Sequence, residues 1–216
     1  MTDNFNRIIL IDKPAGISSF GMVARVRAQI RNEAGCKIKV GHTGTLDPFA
    51  TGLLILLSGK MTKKSSEFLK LDKVYEATIK LGYISSTGDP EGEITRVSDK
   101  VPTRRAIDTV LTDLEGELLQ KPPIFSAIKI GGVRAYKLAR KGETPDIPAR
   151  RITIYELKLL DYTYPLLKIH AKVSSGTYIR VLAEQIGDML GTDAYCLELR
   201  RTQVGAFSVK NARTFL

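Results

Sequence analysis

Cysteine is scarce in this chain of 216 residues: only Cys36 and Cys196 occur, far apart. Their separation excludes a disulfide scaffold and a cysteine-based zinc site. Histidine occurs only at His42 and His170, and no His-Glu-x-x-His or Cys-x-x-Cys string exists, so no metal is expected. The longest apolar run, residues 53–57, is far too short to span a bilayer. The N-terminal residues have no charged-then-apolar secretion pattern, and low-complexity tracts and internal repeats are missing. The phosphate-cradling Gly-x-x-x-x-Gly-Lys-[Ser/Thr] pattern fails because Gly59-Lys60 is followed by Met61. No Gly-x-Gly-x-x-Gly follows a strand, and no Gly-x-Ser-x-Gly elbow appears. These absences point to a cytoplasmic protein with no cofactor, no membrane partner and no obligate protein partner. A monomer is expected, since no coiled-coil or long apolar stripe is visible.

What is abundant is positive charge. Lys and Arg total 33 against 23 Asp and Glu, a net +10, which favours a polyanionic partner. The excess is clustered. Residues 121–151 hold eight basic residues (Lys121, Lys129, Arg134, Lys137, Arg140, Lys141, Arg150, Arg151) against Glu143 and Asp146. Residues 25–39 hold Arg25, Arg27, Arg31, Lys37 and Lys39 against Glu33. Clustering favours a binding face over a merely solvated surface. Phe125 and Tyr136 interleave with the first cluster and suit base stacking, although each reads equally as a core residue.

With 43% hydrophobic and 26% charged residues, the composition is ordinary for a folded chain. Strands and helices alternate. Residues 8–11 read as a strand broken by Lys13-Pro-Ala-Gly. Ser18 or Ser19 caps a helix with Met22, Val23, Val26 and Ile30 on one face, closed by Gly35. Residues 51–57 read as a buried strand, 60–71 as a helix, and 74–83 as an alternating strand. Residues 85–93 form a turn-rich loop, and Thr103 caps a helix carrying Ile107, Val110, Leu111 and Leu114. Residues 124–130 read as a strand ended by Gly131-Gly132, and 133–141 as a basic helix. Strands at 152–162 and 166–174 precede a helix at 177–190, stopped by Gly191. Residues 194–207 are mostly extended. The fold class is α+β with a mixed, largely antiparallel sheet flanked by helices and loops, and no composition shift forces a domain boundary within 1–216.

One segment stands apart: Gly41-His-Thr-Gly-Thr-Leu-Asp-Pro-Phe-Ala-Thr-Gly-Leu-Leu. Its glycines let the backbone turn tightly and approach a ligand, while His42, Thr43, Thr45 and Asp47 put polar chemistry on the loop. Pro48 restrains the chain just after Asp47, and an apolar strand anchors the whole. A polar loop pinned to rigid elements is the usual setting of a site.

This segment resembles the active-site motif of TruB-type tRNA pseudouridine synthases. Four further stretches are similar to that family: Leu10-Ile-Asp-Lys-Pro-Ala-Gly-Ile-Ser-Ser; Tyr75-Glu-Ala-Thr-Ile-Lys-Leu-Gly; Pro122-Pro-Ile-Phe-Ser-Ala-Ile-Lys with Ala135-Tyr-Lys-Leu-Ala-Arg-Lys-Gly; and Ser175-Gly-Thr-Tyr-Ile-Arg with Leu199-Arg-Arg-Thr. The resemblance implies the pseudouridine synthase fold, with a basic RNA-contacting insertion at about residues 124–150. It implies a short form without the C-terminal PUA-like domain of longer members. It implies isomerisation of uridine-55 in the T-loop of the tRNA T-arm, a reaction that needs no cofactor.

The resemblance also implies roles. Asp47 becomes the catalytic carboxylate, acting as nucleophile or base, where an Asp before Pro would otherwise read as a turn residue. Arg180 becomes its guanidinium partner, and Tyr75 a ring stacked on the uracil with a hydroxyl for proton transfer. His42 is assigned to RNA handling during base flipping, and Leu199 to the pocket wall. Lys13, Lys60, Lys63, Lys129, Arg134 and Lys137 are candidate phosphate contacts. The alternative is a non-catalytic tRNA- or rRNA-binding module, which explains the charge equally well.

Overall fold

The structure, a computed structural model, describes residues 3–126, 128–139, 141–143 and 145–214. The elements in order are β1 (Ile8–Lys13), α1 (Ser19–Ala34), β2 (Val40–His42), β3 (Thr51–Ser58), α2 (Ser65–Leu69), β4 (Lys73–Leu81), β5 (Tyr83–Ser85) and β6 (Ile94–Arg96). There follow α3 (Arg104–Asp113), β7 (Gly116–Gln120), β8 (Lys129–Ile130), β9 (Val133–Arg134), α4 (Ala135–Ala139), β10 (Arg150–Thr163) and β11 (Leu166–Val173). The last are α5 (Ile179–Leu190), β12 (Ala194–Val204), β13 (Phe207–Ser208) and β14 (Arg213–Thr214). The chain divides into two compact units, residues 1–75 with 199–216, and residues 76–198. The strands β4 and β12 run through both.

In the first unit the strand order is β14-β1-β3-β12-β4. β1 and β3 pair antiparallel, while β1–β14 and β3–β12 are parallel. Every residue of β3 after Thr51 is buried, so this strand reads as a continuous apolar run rather than an alternating one. Leu53, Ile55, Leu57, Phe68 and Val204 form one core cluster. The Phe68 and Phe207 rings lie 5.7 Å apart at its edge. α1 buries Met22, Val23, Val26 and Ile30, the stripe its 3.6-residue period requires. Ser18 accepts from the Gly21 N–H at 3.0 Å as its N-cap, and Gly35 closes it in the left-handed region.

The helix expected at 60–71 is instead a 3-10 stretch, Gly59–Lys64, followed by the short α2. This polar stretch has no apolar stripe to make a longer helix worth docking. Lys73 folds back over the end of α2, its ammonium donating to the carbonyls of Leu69 (2.7 Å) and Leu71. Burial, and then the neighbouring Arg201 charge, push its pKa down to about 8, against a smaller opposing pull from Asp72.

The second unit has the strand order β12-β4-β11-β10-β7, with β10 antiparallel to both neighbours. Ile152, Ile154, Leu167, Ile169, Ala171 and Val173 supply the buried face of β10 and β11, and α3 and α5 bury Ile107, Leu111, Leu182 and Ile186. Thr103 caps α3 as expected, accepting from Ala106 N–H at 3.2 Å.

Within residues 124–150 the secondary structure departs from expectation. Residues 124–126 are bends, and the strand is confined to β8. The expected helix at 133–141 begins as β9, paired with β8 through Lys129↔Arg134 and Ile130↔Val133. Gly131 (φ 56) and Gly132 (φ 85) both adopt positive φ, which builds the two-residue hairpin turn between them. The glycine pair therefore joins two strands rather than ending one, and only α4 remains helical. Among the described residues no helix is long and apolar enough to cross a membrane.

Candidate active site

In the first unit, the polar loop is slung between two paired strands. β2 lies antiparallel to β3, with Gly41 opposite Leu57 and His42 opposite Leu56. Thr43 then donates its N–H (3.0 Å) and its hydroxyl (3.3 Å) to the carbonyl of Ile55. β3 starts again at Thr51, so residues 44–50 span the gap with few ladder bonds of their own.

Three buried side chains from other segments supply what the ladder does not. Ser19 Oγ donates to the Leu46 carbonyl and accepts from the Leu46 N–H, both at 2.8 Å. Lys13 donates to the carbonyls of Pro14 and Ile17, both at 2.8 Å, and of Pro48 at 3.2 Å. Arg201 donates Nε–H to the Leu53 carbonyl at 2.8 Å and its terminal nitrogens to the carbonyls of Gly44 (3.2 Å) and Thr45 (3.4 Å). Leu46 and Ala50 are buried on either side. Asp47, between them, keeps a half-buried side chain. With Leu46 and Pro48 both tied, the backbone of Asp47 is held in place, the kind of positioning a reacting group needs.

Gly52 makes the Arg201 clamp feasible. It pairs with Arg201 in the parallel β3–β12 ladder, and at φ 100 its Cα faces the Arg201 backbone. A Cβ there would sit 2.2 Å from the Arg201 carbonyl oxygen. Only glycine lets the two strands approach this closely.

Lys13 requires a correction. Expected as a phosphate contact, it is 0% exposed, with its ammonium hydrogens committed to backbone carbonyls under the loop. Burying a lysine is tolerable only when its charge is met by such acceptors, and here they fix the entry to α1 and the Pro48 turn. Lys13 is a structural clamp, not a surface cation. Leu199 is buried at the head of the first-unit part of β12, where its carbonyl accepts from the Thr51 hydroxyl at 3.4 Å. Tyr75 is buried on β4. His42 is half-buried on β2, and Lys60 and Lys63 are exposed on the 3-10 stretch after β3.

In the second unit, a buried polar network centres on Arg180, 4% exposed, in the first turn of α5. The start of this helix is fixed by a reciprocal amide clasp. Gln120 Nε2 donates to the Tyr178 carbonyl at 3.1 Å, and Tyr178 N–H donates to Gln120 Oε1 at 2.8 Å. The Arg150 guanidinium lies over the Tyr178 ring at 4.9 Å and donates to the Gly176 carbonyl at 2.6 Å. Held in this way, Arg180 donates to the carbonyls of Thr87 (2.7 Å) and Phe125 (2.8 Å) and pairs with Asp89 Oδ2 at 3.0 Å. Asp89 is equally buried and is satisfied further by the Thr87 hydroxyl (2.6 Å) and the Glu91 N–H (3.0 Å). Glu184, one turn along α5, has its pKa raised by burial, partly countered by Arg180 and reinforced by Asp188 and Asp89.

Sequence reasoning missed Asp89 and Gln120. Both sit among turn or strand-end residues with no pattern of their own. The one available signal for Asp89 was the density of Ser, Thr, Gly and Pro around it, which marks a loop but not an ion pair. Lys129, Arg134 and Lys137 are exposed on β8, β9 and α4, and Arg140 lies outside the described residues. Among the described residues no group of three or more His, Cys, Asp or Glu side chains is placed to hold a metal ion.

Comparison with known proteins decides the family. The model of the TruB family pseudouridylate synthase N-terminal domain matches residues 31–179. The chain belongs to the TruB family. It is 43% identical over 211 residues to tRNA pseudouridine synthase B of Francisella tularensis subsp. tularensis strain WY96-3418, covering 97% of this chain and 68% of that protein. The corresponding protein of Francisella philomiragia is 42% identical over the same length. Among solved structures, a Cbf5-Nop10-Gar1 complex matches with a TM-score of 0.72 and 30% identity, over 96% of this chain and 52% of that one. An H/ACA RNP bound to a substrate RNA containing 2′-deoxyuridine matches with a TM-score of 0.68 and 27% identity. The TruB-family chain thus spans about half the length of these solved chains. The α+β pseudouridine synthase fold, with its mostly antiparallel strands, agrees with the sequence reading. Asp47 and Tyr75 fall within the span of the TruB-family match, and Arg180 immediately follows it.

Proposed function

We propose that this chain is a tRNA pseudouridine synthase that converts uridine-55 of the T-loop into pseudouridine. The C1′–N1 bond breaks, the uracil rotates, and a C1′–C5 bond forms, with the C5 proton leaving to solvent. Asp47 is the catalytic carboxylate, nucleophile or base. The observation that carries this reading is the clamping of its loop by Ser19, Lys13 and Arg201, which spends three buried polar side chains on immobilising the backbone around one half-buried acid. The tRNA pseudouridine synthase relatives support the reaction class.

Arg180 is assigned the guanidinium role of the reaction and Tyr75 the stacking and proton-transfer role. His42 serves base extraction, which costs a few kcal/mol, and Leu199 lines the pocket. Lys60, Lys63, Lys129, Arg134 and Lys137 contact phosphates. The enzyme works in the cytoplasm, as a monomer without an obligate protein partner.

The test uses tRNA transcript tritiated at C5 of uridine. The wild-type protein releases tritium to water, and Asp47→Asn does not, while both bind the tRNA. Intact binding without release by the wild type would leave a non-catalytic RNA-binding module. Equal release by Asp47→Asn would remove Asp47 from the mechanism.

A further inference from the structure

Helix α1 carries a charged face that the proposed reaction does not use. Its inner stripe is spent on the core. At 3.6 residues per turn, Phe20, Ala24, Arg27 and Arg31 stack along a second stripe. Phe20 is 64% exposed, and the Arg27 guanidinium lies over its ring at 6.0 Å. Ala24 keeps the stripe low between them.

The charge on this face is uncompensated. Glu33, the one carboxylate of the helix, is drawn aside by Arg7 at 3.7 Å and by the Gln29 amide at 2.9 Å. Among the described residues, no carboxylate lies within 4.0 Å of Arg25, Arg27 or Arg31, or of Lys37 and Lys39 just beyond the helix. Some surface cations elsewhere are answered, Arg96 by Asp99, Lys121 by Asp146, Arg151 by Glu117 and Lys158 by Glu156, whereas this helix sets three unanswered arginines within two turns. An unanswered row of cations is complementary to a polyanion, and its exposed aromatic head suits a base.

The row also begins at the candidate site. Ser19, the residue before Phe20, is the one that holds Leu46 by both its backbone groups, one residue from Asp47. From Phe20 to Arg31 the helix rises about 16 Å, enough to face several phosphates of a nucleic-acid duplex.

We infer that the Phe20–Arg27–Arg31 face of α1 is a second RNA track, which receives the stem adjoining the reacting loop: Phe20 stacks on a base beside the site, and Arg27 and Arg31 take successive phosphates of the stem. The inference rests on the tRNA reading above and extends the footprint onto a surface outside the insertion at residues 124–150.

The experiment compares Arg27→Gln/Arg31→Gln and Phe20→Ala with Arg104→Gln/Arg105→Gln. The last pair removes the same charge from the exposed face of α3. Affinity for an unmodified tRNA transcript is measured from low to high salt, together with the single-turnover rate of tritium release at saturating protein. The α1 double variant is expected to bind on the order of tenfold more weakly at moderate salt. Its log–log salt slope should be shallower by about 1.5, two phosphates at roughly 0.7–0.9 each. Its saturated rate stays at the wild-type value. Phe20→Ala weakens binding without changing the slope, and the α3 variant behaves as wild type. Wild-type affinity and slope in the α1 double variant would overturn the track. So would equal weakening by the α1 and α3 pairs, which means diffuse attraction. Absence of tritium release from the wild type sinks the enzymatic reading instead, and the binding comparison still decides the track.

Discussion

Ser19 and Leu46 are joined twice, hydroxyl to carbonyl and N–H to hydroxyl, each at 2.8 Å. The first residue of a helix thereby stands in for the β-ladder that residue 46 lacks. Because Leu46 precedes Asp47, this pair couples helix position to the placement of the acid.

Ser19→Ala is expected to leave two buried backbone groups of Leu46 unanswered, at about 1–3 kcal/mol of stability for such a loss. The functional effect should fall on kcat rather than on KM for tRNA, since the acid is displaced while the RNA-facing surfaces remain. Chemical denaturation and steady-state tritium release measure the two. Unchanged stability with unchanged kcat would mean the loop holds itself.

Asp89→Asn tests the second unit. It removes the carboxylate paired with Arg180 at 3.0 Å while keeping the carbonyl acceptors of Thr87 and Phe125 in place. Breaking one side of a buried pair costs about 3–5 kcal/mol. A clear fall in the denaturation midpoint is expected, along with loss of activity beyond what the fall explains. Rescue is expected to be poor with Asp89→Glu, because the Thr87 and Glu91 donors fix the carboxylate at one reach.

Lys73 gives a pH signature. Its folded pKa is about 8, below the usual lysine value, because the buried ammonium is desolvated and faces Arg201. Between pH 8 and the unfolded value the unfolded chain binds more protons than the folded one. Stability from this group therefore rises with pH across that window and is flat below it. Lys73→Met should abolish the slope. Denaturant unfolding from pH 7.5 to 10 checks it, and a slope that persists in the variant would assign it to another group.

Local chemistry was legible wherever it was sufficient. Ser18, Gly35 and the Met22–Val23–Val26–Ile30 stripe define α1 without help from the rest of the chain, and Thr103 does the same for α3. The Asp47 loop was legible as a polar, glycine-bounded insert between apolar strands. What was not legible is what holds it. Lys13 and Arg201 look like surface cations in any local window, since burial of a charge depends on acceptors that distant segments deliver. The same holds for Asp89, whose partner lies far along the chain, and for Gly131–Gly132, where a hairpin turn and a strand end share one composition. Periodicity reports faces; it does not report which carbonyls converge on a buried cation.

The parallel pairing of β12 with β3 has a consequence for synthesis. Residues 199–204 form the strand next to β3, and Arg201 is the clamp that reaches Gly44, Thr45 and Leu53. While a ribosome is still translating the middle of the message, the Asp47 loop already exists as peptide but lacks one of its three fastenings. Nascent fragments ending before Arg201 should therefore be inert, however well their helices have formed, and competence arrives late, when the returning strand slots in.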